Sequence, residues 1–299
     1  MTPPVLRALA PGKVNLALFL GQVRPDGRHD LVSLVQPVSL ADELELSAAE
    51  EAEGDEVVCP GVDGPNLAAS ALSAYRAASG WRGPPVRVTI AKRIPVAAGM
   101  GGGSADAAAT LRLVAHAAGR DGDPVAAHVA PALGSDVPAL LEVGTTLVSG
   151  AGERVRAVAA REPFALVVVP LSERLATGDV FREADRLGLG RPAEELADLS
   201  RELASALQAR DDLPDPALLV NDLEAAAVSL CPAIEGALAA VRACGAERAM
   251  VSGSGPTVFG LFAGVEGAAV AAAAAGELAE RFTGAVAAGP VGPDFAAIA

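Results

Sequence analysis

Basic side chains are in short supply. The chain carries 23 Lys and Arg against 37 Asp and Glu, a formal net charge of −14. Nucleic acid and anionic membrane call for a basic surface, so both are excluded as partners. A small anion is not excluded, because a local loop can bind one through backbone N–H groups. Cysteine is also scarce. Cys59, Cys231 and Cys244 are odd in number, widely spaced and form no CxxC pair. That excludes a disulfide framework and a zinc site and leaves three buried, inert thiols. The first residues hold no apolar stretch of signal-peptide length, and "GAAVAAAAAGELAERF" is broken by Glu277 and Glu280. The run therefore reads as a helix of a globular protein rather than a membrane span, in a reducing cytoplasm. Aromatics reach only 3% of a chain that is 51% hydrophobic, so the core is expected to rest on alanine in closely packed helices.

Two familiar phosphate loops are missing. No GxxxxGK followed by Ser or Thr occurs, and Ser104 stands where the third small residue of a GxGxxG or GxGxxA loop belongs. What is present is "IPVAAGMGGGSADAAATLRLVAHAAG", with Gly99, Gly101, Gly102 and Gly103 in five positions. Glycine in that density costs backbone entropy. A ligand pressed against bare backbone offsets the cost, and a helix running from about residue 104 to 118 presents unpaired N–H groups and a partial positive charge to it. The segment reads as a phosphate cradle, with the Ser104 hydroxyl at the same place.

Elsewhere, "KVNLALFLGQV" alternates as a strand, with Val14, Leu16, Leu18 and Leu20 on one face and Lys13, Asn15, Ala17 and Phe19 on the other. "LVSLVQPVSL" and "DELELS" read as two further strands, and the acidic stretch 50–56 as a solvated hairpin tip. Helices follow at about 66–78, over "DPVAAHVAPALG" and from "SDVPALL". A hairpin is expected over "TTLVSGAGERVRAV". The pattern restarts near residue 160 with the buried strand "FALVVVP", which places a domain boundary there. Lys13 and Asn15 share a strand face and either sit in a cleft or are solvated. Asp136 in "LGSDVPALL" is either a helix cap or a general base for phosphoryl transfer. "VSGSGPTVFG" is either a hairpin turn or a second loop over phosphate.

Together these segments resemble the GHMP kinase superfamily. "PGKVNL", "PVAAGMGGGSADAA" and "VSGSGPTVF" occur in the family's order and span nearly the whole chain, with Met100 in place of a Leu and Ala105 in place of a Ser. "DGRHDL", "LGSDVP" and "APGKVNL" are most similar to the branch that phosphorylates the 2-hydroxyl of a cytidine-diphosphate-linked sugar alcohol in the non-mevalonate isoprenoid route. Arg28 stands where that branch has an aromatic residue. The resemblance implies an α+β fold of two domains with a cleft between them. Residues 1–160 would form a ribosomal-protein-like nucleotide-binding and catalytic domain, and residues 161–299 a ferredoxin-like substrate domain.

The resemblance also implies ATP on Pro95, Val96, Ala97, Ala98, Gly99, Met100, Gly101, Gly102, Gly103, Ser104 and Ala105, and Mg2+ with Ser104 as a ligand. Asp136 would take the substrate proton, Lys13 would pair with it and neutralise developing charge, and Asn15 would orient the sugar alcohol. Arg28, His29 and Phe181 would meet the cytosine, Arg28 through its guanidinium plane. Ser252, Gly253, Ser254 and Gly255 would close over the substrate. The oligomeric state stays open, a homodimer being compatible. The rivals are a homoserine, mevalonate or sugar kinase, a kinase-like binding protein without activity, and a dinucleotide oxidoreductase.

Overall fold

The computed structural model describes residues 5–49, 54–159, 163–209 and 213–299. The expected hairpin tip falls largely on 50–53, and the expected boundary at 160 also falls outside the described residues. Strand β1 (Leu6–Val23) runs antiparallel to β2 (His29–Ala48), from Leu6 opposite Leu46 to Val23 opposite His29. The two strands expected between residues 31 and 47 are therefore one, because Ala41 and Asp42 keep pairing with Pro11 and Ala10 through the supposed break. Short β3 (Glu56–Val58) lies parallel to β4 (Val86–Ala91). Strand β4 and then β5 (Thr146–Gly150) share the other edge of β2, at residues 43–48 and 31–35, and β6 (Arg154–Ala157) pairs with β5.

The simple alternation expected for β1 fails. Its register shifts between Pro11 and Lys13, between Asn15 and Ala17, and between Leu20 and Val23. A bulge inserts a residue and reverses which side chains face which side. Val14, Leu16, Ala17 and Phe19 consequently sit in one core, while Leu18 and Leu20 enter another.

Helix α1 (Leu67–Ser79) is capped by Asn66, whose side chain accepts from the Ala68 N–H at 2.9 Å. Helix α2 (Gly102–Ala117) packs on β1 and β2, with α1, α3 (Pro124–Leu133) and α4 (Val137–Leu141) around it. Ala105, Ala107, Ala108 and Ala109 are buried, which is where the alanine-rich composition is used. Side chains this small let α2 approach the sheet closely, and enlarging one would cost about 1–3 kcal/mol by overpacking.

The later half holds β7 (Phe164–Val169), α5 (Thr177–Leu187), α6 (Ala193–Ala209), α7 (Glu224–Leu230), α8 (Ala233–Ala243), β8 (Arg248–Val251), β9 (Val258–Ala263), α9 (Gly267–Ala279) and β10 (Val286–Ala288). Its sheet is antiparallel, in the order β10-β7-β9-β8. The two cores interlock. Leu18 and Leu20 of β1 pack among Val167, Val180, Val251 and Val258, while Leu196, Leu203, Phe164 and Phe259 join the core of the six-stranded sheet. No helix among the described residues is long and apolar enough to cross a membrane.

Candidate active site

The glycine loop runs from the end of β4 into α2. Gly99 and Gly101 have φ of 75° and 66°, in the left-handed region where a side chain is strained. A Cβ on Gly99 would lie 2.3 Å from the Ser252 carbonyl oxygen, so this glycine also lets the loop pack against the Ser252–Gly255 turn. Ala97 holds a left-handed φ of 57° in the same loop. The helix starts at Gly102 rather than at Ser104. Its first backbone bond runs from Ala105 N–H to Gly101 O at 2.8 Å, so the N–H groups of Gly102, Gly103 and Ser104 have no carbonyl within the helix to bond. A Cβ on Gly103 would meet nothing nearer than Leu67 Cδ1 at 3.6 Å, which leaves the helix end open.

Lys13 is buried, and its ammonium donates to Asn15 Oδ1 at 2.8 Å and to Gly99 O at 2.9 Å. Asn15 in turn donates to Ser33 Oγ at 2.8 Å, and Ser33 donates to Ala17 O at 2.7 Å. Ser252 Oγ reaches the same Gly99 carbonyl at 3.1 Å. One carbonyl thus ties the three glycine-bearing motifs together.

Asp136 stands 3.6 Å from Lys13 Nζ through Oδ2. It occupies the N-cap position of α4, yet its side chain makes no cap bond, because its backbone is already helical at φ −89° and ψ −16°. A capping oxygen acts from an extended N-cap residue, so the capping alternative fails here and the carboxylate faces the cleft.

The cleft has a volume of about 440 Å³. Lys13, Asn15, Asp136, Ser104, Gly253, Ser254 and most of the glycine loop line it. Cys59, Val62, Pro65, Asn66, Leu67 and Lys92 form one group of wall residues beside the loop, and Leu31, Val35, Val148, Thr177 and Phe181 form another. Met100, Ala105, Ser252 and Gly255 do not line it. Met100 and Ala105 are core residues, and Met100 contributes its carbonyl to Lys13 N–H at 2.9 Å.

His29 lies behind the wall. Its Nε2 is 2.8 Å from Asp185 Oδ1 and its ring centroid 5.0 Å from that of Phe181, tilted by 45°. Arg28 is exposed and not among the lining residues; its guanidinium donates to the Ala151 carbonyl at 2.5 Å.

One expectation about the cysteines is corrected. Only Cys231 is buried; Cys59 and Cys244 are half-buried, and Cys59 lines the cleft because it lies in the irregular segment after β3 rather than in a packed element. Burial, then the nearby Asp106 carboxylate, pushes the Cys59 thiol up, which keeps it protonated.

Several contributors escaped the sequence reading. Lys92 donates to Asp42 Oδ2 at 2.5 Å and Asp106 Oδ2 at 2.8 Å. Asp42, wholly buried, also accepts from the N–H groups of Arg93 and Ile94 at 2.6 and 2.8 Å. Burial raises Asp106 above the usual carboxylate range, with Lys92 opposing and Asp42 adding to the rise. Asn221 donates to Val251 O at 2.8 Å and Gly253 O at 2.7 Å, holding the Ser252–Gly255 turn, and Thr177 bonds Ser254 Oγ at 3.1 Å. An Asp inside an alanine helix and a Lys leaving a strand were the available signals. Their pairing spans distant elements.

An open helix start, a buried lysine facing a carboxylate, and two interlocked α+β halves are the architecture of a GHMP-type small-molecule kinase. The family model for the GHMP kinases N terminal domain matches residues 66–142, and that for the GHMP kinases C terminal domain matches 189–283. The chain is 41% identical over 277 residues to the 4-diphosphocytidyl-2-C-methyl-D-erythritol kinase of Anaeromyxobacter sp. (strain K), covering 90% of this chain and 84% of the relative. It is 41% identical over 287 residues to the enzyme of that name from Nocardia farcinica, covering 93% and 91%. A crystal structure of 4-(cytidine 5'-diphospho)-2C-methyl-D-erythritol kinase superposes with a TM-score of 0.74 at 34% identity, over 96% of this chain and 99% of that one. A homoserine kinase from Cytophaga hutchinsonii shares the fold alone, with a TM-score of 0.72 at 17% identity over 99% and 97%. The chain belongs to the GHMP kinases and, among them, to the 4-diphosphocytidyl-2-C-methyl-D-erythritol kinase family.

Proposed function

We propose that this protein transfers the γ-phosphoryl group of ATP to the 2-hydroxyl of 4-diphosphocytidyl-2-C-methyl-D-erythritol, in the cytoplasm, where ATP is supplied. The observation that carries the reading is the Lys13–Asp136 pair at 3.6 Å, set beside the open start of α2 in one cleft.

The phosphate chain lies on the N–H groups of Gly102, Gly103 and Ser104, where backbone donors and the positive end of α2 meet it. The nucleoside extends toward Cys59, Val62, Pro65 and Leu67, whose side chains offer a largely apolar slot next to the loop. The acceptor occupies the part of the cleft lined by Thr177 and Phe181, with His29 behind. Arg28 would reach the base only by leaving its bond to Ala151. The acceptor oxygen attacks the γ-phosphorus, its proton passes to Asp136, and the bond to the β-phosphate oxygen breaks to release ADP. Lys13 neutralises charge on the transferred group, and its bonds to Asn15 and Gly99 fix its direction.

Mg2+ belongs to this reading as well. Among the described residues no group of three or more His, Cys, Asp or Glu could hold a metal. The oxygen donors Ser104 and Asp136 still suit a hard cation that takes most of its ligands from phosphate and water. Ser104 would be the protein ligand, and the cation would supply charge neutralisation on the phosphates.

A coupled ADP-release assay tests the proposal, with the cytidine diphosphate acceptor run beside mevalonate and homoserine. Turnover with the first alone is expected. Turnover with either of the others in its place overturns it.

A further inference from the structure

Helix α4 follows directly on Asp136 and has little of its own to hold it. It is five residues long, no side chain caps it, and its turn closes through the Leu140 N–H bond to Asp136 O at 3.1 Å. A helix that short is not stable by itself, so its place is set from outside. Val137, Ala139 and Leu140 are buried and hold it among α2 and α3. Apolar packing is non-directional, however. Arg112 of α2 supplies the directional contact. Its Nη1 donates to Leu140 O and its Nη2 to Leu9 O, both at 3.1 Å. Leu140 lies four residues after Asp136, and Leu9 lies on β1 four residues before Lys13. One planar guanidinium therefore spans the two segments that bear the Lys13–Asp136 pair, and its rigid fork sets the spacing of their carbonyls. The Leu140 side chain closes on the same spot. A Cβ on Gly101 would lie 3.4 Å from Leu140 Cδ1 and 3.2 Å from Lys13 Cγ.

The fold bears a cost for this tie. Among the described residues the guanidinium pairs with no carboxylate, and its Nε is buried without a hydrogen-bond partner. Burial lowers its pKa to about 10, so it keeps its charge at neutral pH. A buried cation without a counter-charge is destabilising, and an apolar side chain of similar length would fill the space without that penalty. Stability alone therefore does not account for an arginine behind the reacting pair. We propose that Arg112 is a positioning residue, which holds α4 so that Asp136 stands at the distance from Lys13 at which it takes the acceptor's proton. The inference rests on the function proposed above and deepens it.

The test is a double-substitution cycle in the full-length protein. Arg112→Met and Arg112→Lys are each made alone and together with Asp136→Asn. kcat and both KM values are read with ATP and the cytidine diphosphate acceptor, well below each variant's melting temperature. Arg112→Met keeps an unbranched stem and removes both bonds. Its kcat should fall about 10–100-fold, with the KM for ATP and for the acceptor unchanged within about twofold. Arg112→Lys keeps the charge without the fork and should recover part of that loss. With Asp136→Asn no carboxylate is left to place, so adding Arg112→Met should lower the residual turnover by less than about threefold. A full second loss in that background reveals a merely structural residue and overturns the proposal. So does a normal kcat with only a lower melting temperature, or an equal rise in both KM values. Should Arg112→Met fail to fold, Arg112→Lys decides through the same cycle. Near-normal turnover by Asp136→Asn also overturns it, since there is then no base to position. Turnover of mevalonate or homoserine in place of the cytidine acceptor instead brings down the proposed function, and the cycle run with that alcohol still decides the role of Arg112.

Discussion

The Lys13 ammonium lies 3.6 Å from the Asp136 carboxylate, farther than its 2.8 and 2.9 Å bonds to Asn15 and Gly99. Asn15 and Gly99 hold the lysine in place, and Asp136 meets it at the longer distance. Asp136→Asn keeps the size of the side chain and removes the proposed base. Turnover should drop by about 10²–10⁴-fold, the usual share of general base catalysis, while ATP binding measured by calorimetry stays unchanged. Near-normal turnover would take the base role away from Asp136.

The glycines of the loop should separate into two kinds. Gly99→Ala adds a methyl group at a positive φ and against the Ser252 carbonyl, so it should lose about 2 kcal/mol or more of stability in thermal unfolding. Gly103→Ala has room within the fold and lies inside a helix, where alanine is favoured. Its melting temperature should hold or rise, while its KM for ATP should increase about tenfold if phosphate lies against that backbone. An unchanged KM would mean that phosphate does not approach Gly103.

Asn221→Ala should loosen the Ser252–Gly255 turn by removing its bonds to Val251 and Gly253. Two buried carbonyls lose their donor, a cost of about 1–3 kcal/mol. The acceptor KM should rise more than the ATP KM. Equal rises would place the turn against both substrates.

Tyr75 is the chain's single tyrosine and is fully buried, with its hydroxyl donating to Asp123 at 2.9 Å. Burial, reinforced by Asp123, pushes the phenol up to about 12. A raised value means that the native state favours the protonated form. This contribution to stability is therefore complete below the unfolded value near 10 and is lost as pH climbs toward 12. Absorbance at 295 nm should show no phenolate until near that pH. A transition close to 10 in the folded protein would contradict the placement of Tyr75.

What the sequence made legible was local. The glycine run, the start of a helix behind it and the shared face of Lys13 and Asn15 all lie within a few residues of one another. What stayed hidden depends on distant partners. Nothing near Asp185 announces His29, and nothing near Lys92 announces Asp42. The bulge at Asn15 reversed the later faces of β1 without any glycine to mark it, and the expected cap at Asp136 failed because its backbone is helical. Arg28 could be read only as a departure from the family's aromatic residue; its bond to Ala151 depends on a turn 123 residues away.

The reversal within β1 has a consequence for how such a chain can change over time. Leu16 and Phe19 serve one core, while Leu18 and Leu20 serve the other. The two halves are therefore not exchangeable parts. A hybrid that kept residues 1–160 and took its remainder from a distant relative would present Leu18 and Leu20 to a surface shaped for other side chains, so a new acceptor preference is reached more readily by substitutions along the cleft wall than by trading one half for another.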